Sequence, residues 1–211
     1  MYLPPAFAGT DLLTLCTGIR SWPLATIIEQ VSGGLDANHL PMLLVETTPG
    51  AITLQGHAPL QNPIGDDTPE GKPVLVIFHG PSAYITPAWY PTKREHGRVV
   101  PTWNYEVIHI HGRMRIVRDA HWISAQLEGL TRQQESTWAE PWSLEDAPTD
   151  YIQGLVTRLK GIEIVIDRII GKTKASQDQP AANHQGVPDG LKSMGSPAVH
   201  SVEQALYKRN S

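Results

Sequence analysis

His109 and His111 stand two residues apart in the run Tyr105 to Val117, where alternation places both imidazoles on one strand face, a spacing that a metal ion can use. A four-ligand site needs a further pair of His, Cys or carboxylate side chains at ligand spacing, and the chain offers none. The competing reading is a polar outer face on which Arg113 and Arg115 continue, solvated or paired across a dimer contact. Nucleophilic catalysis has less support. Cys16 is the single cysteine and falls on an apolar helix stripe, and no Gly-x-Ser-x-Gly elbow, phosphate-cradling loop or nicotinamide fingerprint occurs. No catalytic residue is therefore assigned. The densest chemistry lies between Phe78 and Tyr105, where Trp89, Tyr90, Trp103 and Tyr105 alternate with prolines. Such rings either stack on a ligand or anchor a core or an interface. Proline removes a backbone donor, so this stretch reads as a shaped wall rather than a core strand.

The elements that must position these residues follow from periodicity. Asp11 or Thr10 caps a helix with Leu12, Leu15, Cys16 and Ile19 on one stripe, ended by Trp22-Pro23. Leu24 to Val31 and Leu40 to Thr47 read as a hairpin across Ser32-Gly33-Gly34, Ala51 to His57 as a third strand, and Pro73 to Phe78 as a buried fourth. In the strand Tyr105 to Val117, Ile108, Ile110, Met114 and Ile116 face inward. Asp119 caps a helix carrying Trp122, Ile123, Leu127 and Leu130; Asp146 and Pro148 open another that reaches Leu159 and ends at Gly161. Ile162, Ile164 and Ile166 make the last strand. The expectation is a mainly β, α+β fold with peripheral helices, a barrel domain over 1–174 and an arm or tail over 175–211, where Gly, Pro, Ser, Gln and Asn cannot bury enough apolar surface to fold alone.

Composition narrows the classes of function. A formal charge of -4 opposes general polyanion binding, so DNA as a partner would need a local strip such as Arg113, Arg115 and Arg118. No basic recognition helix of helix-turn-helix type is visible. One cysteine excludes an intramolecular disulfide, the first residues show neither a basic region nor an apolar signal core, and no run reaches the ~18 apolar residues of a membrane span. A cytoplasmic protein with no membrane partner is expected.

Motifs spread along nearly the whole chain resemble the PaiB family of FMN-binding negative transcriptional regulators, in that family's order and at similar spacing. They are Met1-Tyr2-Leu3-Pro4, Ala37-Asn38-His39-Leu40-Pro41, Gly56-His57 with Asn62-Pro63, Gly80-Pro81 with Ala83-Tyr84-Ile85, and Val100-Pro101-Thr102-Trp103-Asn104-Tyr105. Later come Gly112-Arg113, Pro141-Trp142, Ile162-Glu163, Gly171-Lys172, Lys174 and Ser176-Gln177. The resemblance implies a split β-barrel homodimer with flavin mononucleotide (FMN) at the subunit boundary. It makes Asn38, His39, His57 and Asn62 the candidate cofactor contacts, with a structural role as the competing reading of the two histidines; Lys172 and Lys174 read either as a solvated strand end or as phosphate partners from the second subunit.

The chain departs from the family pattern at Leu60, where the resemblance implies a phosphate-pairing arginine. Losing such a cation costs about 1.5–3 kcal/mol, roughly ten- to a hundredfold in affinity. Thr173, Ala175, Asp178, His79 and Ser82 also replace the usual residues. The resemblance implies a flavin-responsive regulator; related split barrels keep a flavin-dependent oxidoreductase open as an alternative, and after it a haem-binding barrel.

Overall fold

The computed structural model describes residues 1–9, 11–48, 50–66 and 71–194. In chain order the strands are β1 (Ala8–Gly9), β2 (Leu24–Val31), β3 (Gly34–Pro41), β4 (Leu43–Thr48), β5 (Ala51–Pro59), β6 (Lys72–Ile85), β7 (Thr102–Val117) and β8 (Leu159–Lys174). The helices are α1 (Leu12–Ser21), α2 (Thr92–His96), α3 (Ala120–Glu135), α4 (Thr149–Val156), α5 (Ala181–His184) and α6 (Gly186–Ser193). The strands form one mostly antiparallel sheet in the order β3-β2-β6-β7-β8-β5-β4, with β1 paired to β8. The sheet is not closed: β3 and β4 end the order.

Two compact units divide the chain. One comprises Cys16–Phe78 and His109–Ile169; the other comprises Met1–Leu15, His79–Ile108 and the described residues from Ile170 onward. In the first, alternation sends Ile27, Leu54, Val76, Phe78, Ile110, Met114, Ile162 and Ile164 to one interior, all fully or nearly fully buried. Each such side chain contributes about 1.5–3 kcal/mol through burial. Helix α3, capped by Asp119, whose Oδ1 accepts the Trp122 amide at 2.7 Å, packs on the opposite face of β5 and β8. In the second unit, Tyr90, Ile85, Val187 and Leu191 make a separate core. Residues 181–193 thus fold against 83–92: their composition forbids an independent core, but Val187 and Leu191 bury themselves on another segment's apolar surface.

Several local expectations are corrected. The strand that returns on β2 is Gly34–Pro41, not Leu40 to Thr47; Leu43–Thr48 pairs with β5 instead. The apolar run Leu40 to Val45 hides a break at Met42, outside both strands, while the polar β3 is stabilised by full pairing from Leu24↔Pro41 to Val31↔Gly34. Gly34, at φ 124°, supplies the backbone that this tight turn demands. Strand β6 continues through Pro81 to Ile85, because its pairing with β2 ends at Phe78 and the missing proline donor breaks no bond on that side. Helix α4 ends at Val156, and Gly161 lies inside β8, where the Trp122 ring covers it: a Cβ there would come 2.7 Å from Trp122 Cε3.

Candidate functional site

The end of β5 turns back through 60–66, and a set of hydrogen bonds fixes that turn. Leu60 N donates to Arg158 O at 2.9 Å and Asn62 N to Pro59 O at 3.0 Å. Asn62 Oδ1 accepts from Ile64 N at 2.8 Å, and Asn62 Nδ2 donates to Asn38 Oδ1 at 2.9 Å. Gly65 N donates to the buried Glu29 carboxylate at 3.2 Å, and the fully buried Lys160 meets Asp66 at 2.7 Å. Asn38 and Asn62, two of the residues singled out from sequence, are therefore brought together, each amide engaged by protein. Their geometry fixes the turn. Asn62→Ala removes both side-chain bonds and leaves Asn38 Oδ1 without its donor, so we expect a loss of about 1–3 kcal/mol in urea unfolding; a change under a few tenths would show that water replaces the amide.

The remaining candidates separate. Asn38 pairs with the buried Ile27 on the inner face, whereas His39 pairs with Thr26, and its Nδ1 meets Thr26 Oγ1 at 3.0 Å on the outer side. His57 also lies on an outer face, where its Nδ1 meets Gln126 Oε1 of α3 at 2.8 Å. Lys172 and Lys174 belong to the second unit. Lys172 Nζ donates to Tyr2 O at 3.3 Å and sits 5.3 Å from the Tyr105 ring centroid; Lys174 Nζ donates to Thr102 Oγ1 and, at 3.0 Å, to Trp103 O. Both cations thereby brace the segment 102–105. Beside it, His79, Ser82, Trp103, Tyr105, Glu106 and Val107 line a recess of about 350 Å3. Trp103 and Tyr84 stay 57% and 50% exposed while touching edge to face, with centroids 6.2 Å apart. Tyr90, by contrast, is core.

The outer face of β5, β8 and α3 carries the groups best suited to a ligand. Thr53, Gln55 and His57 alternate along β5 opposite Val165, Glu163 and Gly161 of β8. Thr53 Oγ1 and Gln126 Nε2 are buried there without a hydrogen-bond partner, a costly condition that a bound acceptor would relieve. Arg115 donates through Nε to Glu163 Oε1 at 2.6 Å. His57 stands four positions beyond Thr53, about 13 Å along a strand, so a ligand reaching both must be elongated, as FMN is. Sequence reasoning passed over Thr53, Gln126 and Lys160. Gln126 falls on the Ile123 and Leu130 stripe of α3, and Lys160 shares the parity of Ile162 and Ile164, so both burials had a signal; Thr53 had none.

His111 extends the same outward parity along β7, and its Nε2 is buried without a partner. Desolvation, then the charge of Arg168, holds its imidazole below the ordinary value of 6.5. Its neutral form is favoured by folding, so its contribution is complete above pH 6.5 and is lost as pH falls through that value toward the lower folded one. His111→Gln should flatten the acid limb of the stability profile; an unchanged slope below pH 6.5 would show that the ring is fully solvated.

Comparison with known proteins places this geometry. Residues 1–168 match the family described as "Putative FMN-binding domain", and the chain belongs to that family, whose cofactor is FMN. It is 32% identical over 244 residues to an uncharacterized protein of Emericella nidulans, covering 99% of this chain and 97% of the relative. It is 25% identical over 206 residues to the protease synthase and sporulation protein PAI 2 of Bacillus subtilis, covering 98% and 96%. Among solved structures, the FAD and heme binding protein of Mycobacterium smegmatis superposes with a TM-score of 0.57 at 15% identity, over 87% of this chain and 80% of that one. The fold is accordingly that of the flavin-binding split barrels.

Proposed function

We propose that this protein is an FMN-binding regulator of PaiB type that acts as a homodimer. The observation that carries the reading is the family match over residues 1–168, joined by buried polar atoms left without partners on the outer face of β5 and α3. Of the six residues singled out from sequence, His57 contacts the flavin on that face, oriented by Gln126. Asn38 and Asn62 act by fixing the turn that ends β5, while Lys172 and Lys174 stiffen the aromatic segment 102–105. When bound, FMN supplies a redox-responsive ring, and the protein's own part is to hold it and exclude water. An absorption spectrum of the purified protein, before and after saturation with FMN, tests this. A bound-flavin spectrum is expected; a protein that takes up no flavin would overturn the reading.

Dimerisation is supported by Trp103 and Tyr84, large rings held rigid yet half exposed. Light scattering should return about twice the chain mass of 23.2 kDa, and Trp103→Ser should shift the population toward monomer. A monomeric wild-type chain at micromolar concentration would contradict it. Direct DNA recognition has little to stand on, because Arg113 and Arg115 are paired with Asp167 and Glu163. We expect only weak DNA binding, with a salt slope of about -0.9 per phosphate contact; nanomolar binding that survives 200 mM salt would reveal a reading element elsewhere.

A further inference from the structure

A recess of about 400 Å3 opens on the outer face of β5 and β8, lined by Thr47, Ile52, Thr53, Arg115, Glu163 and Val165 among others. We propose that it seats a phosphate monoester, and that in this chain Thr53 and Arg115 hold the FMN phosphate. The inference rests on the flavin reading above and assigns one end of that ligand.

Three observations converge. Thr53 is 5% exposed, lines the recess, and has a hydroxyl without a partner; buried hydroxyls are ordinarily satisfied, so a ligand acceptor is the missing group. Arg115 is 45% exposed at its side chain and is gripped through Nε and one Nη by the buried Glu163 carboxylate, which fixes the plane of the guanidinium. A guanidinium carries five N–H donors, so a second anion can be met by the same group. Gln55 Nε2 also reaches Glu163, at 3.4 Å, which draws that carboxylate back toward β5. The same geometry excludes position 60. Leu60 lies in the turn beyond the end of β5, seven positions from Thr53, about 20 Å away along the strand direction. An arginine absent from position 60 is therefore no loss to a phosphate seated on the outer face.

Fluorescence titration of FMN and of riboflavin into the full chain decides the matter, with Thr53→Val, Arg115→Lys and Leu60→Arg as variants. Thr53→Val removes only the hydroxyl, and Arg115→Lys keeps a cation for Glu163 while losing the fork. Expected are tighter binding of FMN than riboflavin by the wild type, a loss of roughly tenfold in FMN affinity for each of the first two variants, and riboflavin affinities within about twofold throughout. Leu60→Arg should leave FMN affinity within about the same margin. Thr53→Val should melt no lower than wild type, because it buries no new polar atom, and this separates a binding role from a structural one. Equal wild-type affinities for the two flavins, or a Thr53→Val protein that binds FMN as wild type does, would overturn the assignment. If the wild type binds neither flavin, the flavin reading itself fails. The phosphate seat then stands only if inorganic phosphate raises the melting temperature more than chloride of equal ionic strength in wild type but not in Thr53→Val; without that difference it falls too.

Discussion

Asp66→Ala should destabilise the protein by about 3–5 kcal/mol, although Asp66 is itself half exposed. The reason is its partner. Lys160 is among the largest fully buried side chains, on the inner face of β8 in line with Ile162 and Ile164, and its ammonium meets Asp66 Oδ1 at 2.7 Å. Removing the carboxylate strands a cation among apolar neighbours, and the cost is the desolvation of that cation rather than the strength of the lost pair. The same logic sets the control. Lys160→Met keeps the volume and removes the charge, leaving Asp66 free to turn to water, so it should be near neutral, and the double variant should recover most of what Asp66→Ala loses. Urea unfolding of the four proteins measures this. An Asp66→Ala loss below about 1 kcal/mol would mean that water already reaches the ammonium. The turn carries the effect to the candidate site, because Asp66 and Asn62 close the same short segment.

Much of this architecture was legible from residue types. The alternation in Tyr105 to Val117 separated the inner isoleucines from the outer histidines and arginines, and Asp119 marked its helix because capping and period are local signals. What failed depended on partners distant in sequence. Leu40 to Val45 is uniformly apolar, and nothing local says that Pro41 closes one strand and Leu43 opens another; pairing with β2 on one side and β5 on the other decides it. Pro81 looked like a barrier to a strand, but only because the end of β2 pairing at Phe78 was not visible. The site divided along similar lines. Motif spacing singles out His57, Asn38 and Asn62, whereas Thr53 stands out only through the burial of its hydroxyl, a property of the packed sheet. Leu60 stands out in the sequence as a missing cation, and the structure sets it in the turn beyond the end of β5.

Gly161→Val should cost about 1–3 kcal/mol by overpacking. It should also weaken the contact between α3 and β5 that orients His57. A Cβ at position 161 would overlap the Trp122 ring and come within 3.1 Å of Val117 Cβ, and a β-branched residue adds two methyl groups to that clash. Strand β8 cannot yield easily, since its pairing with β5 runs from Thr53↔Val165 to Pro59↔Leu159 with no break at His57↔Gly161. The helix must move instead. Gln126 stands one helical turn beyond Trp122 on α3 and holds His57 Nδ1 at 2.8 Å, so displacement of the helix lengthens that bond before any strand separates. Trp122→Leu in the same protein supplies room, and the pair should be non-additive by about 0.5–3 kcal/mol, with the double variant more stable than Gly161→Val alone. Histidine side-chain NMR gives the second readout: the His57 Nδ1 resonance should shift in Gly161→Val and return toward its original position in the double variant. Additive energies with an unmoved His57 signal would show that α3 accommodates the larger side chain by a rotamer change of Trp122, and that the glycine does not set the distance between helix and sheet.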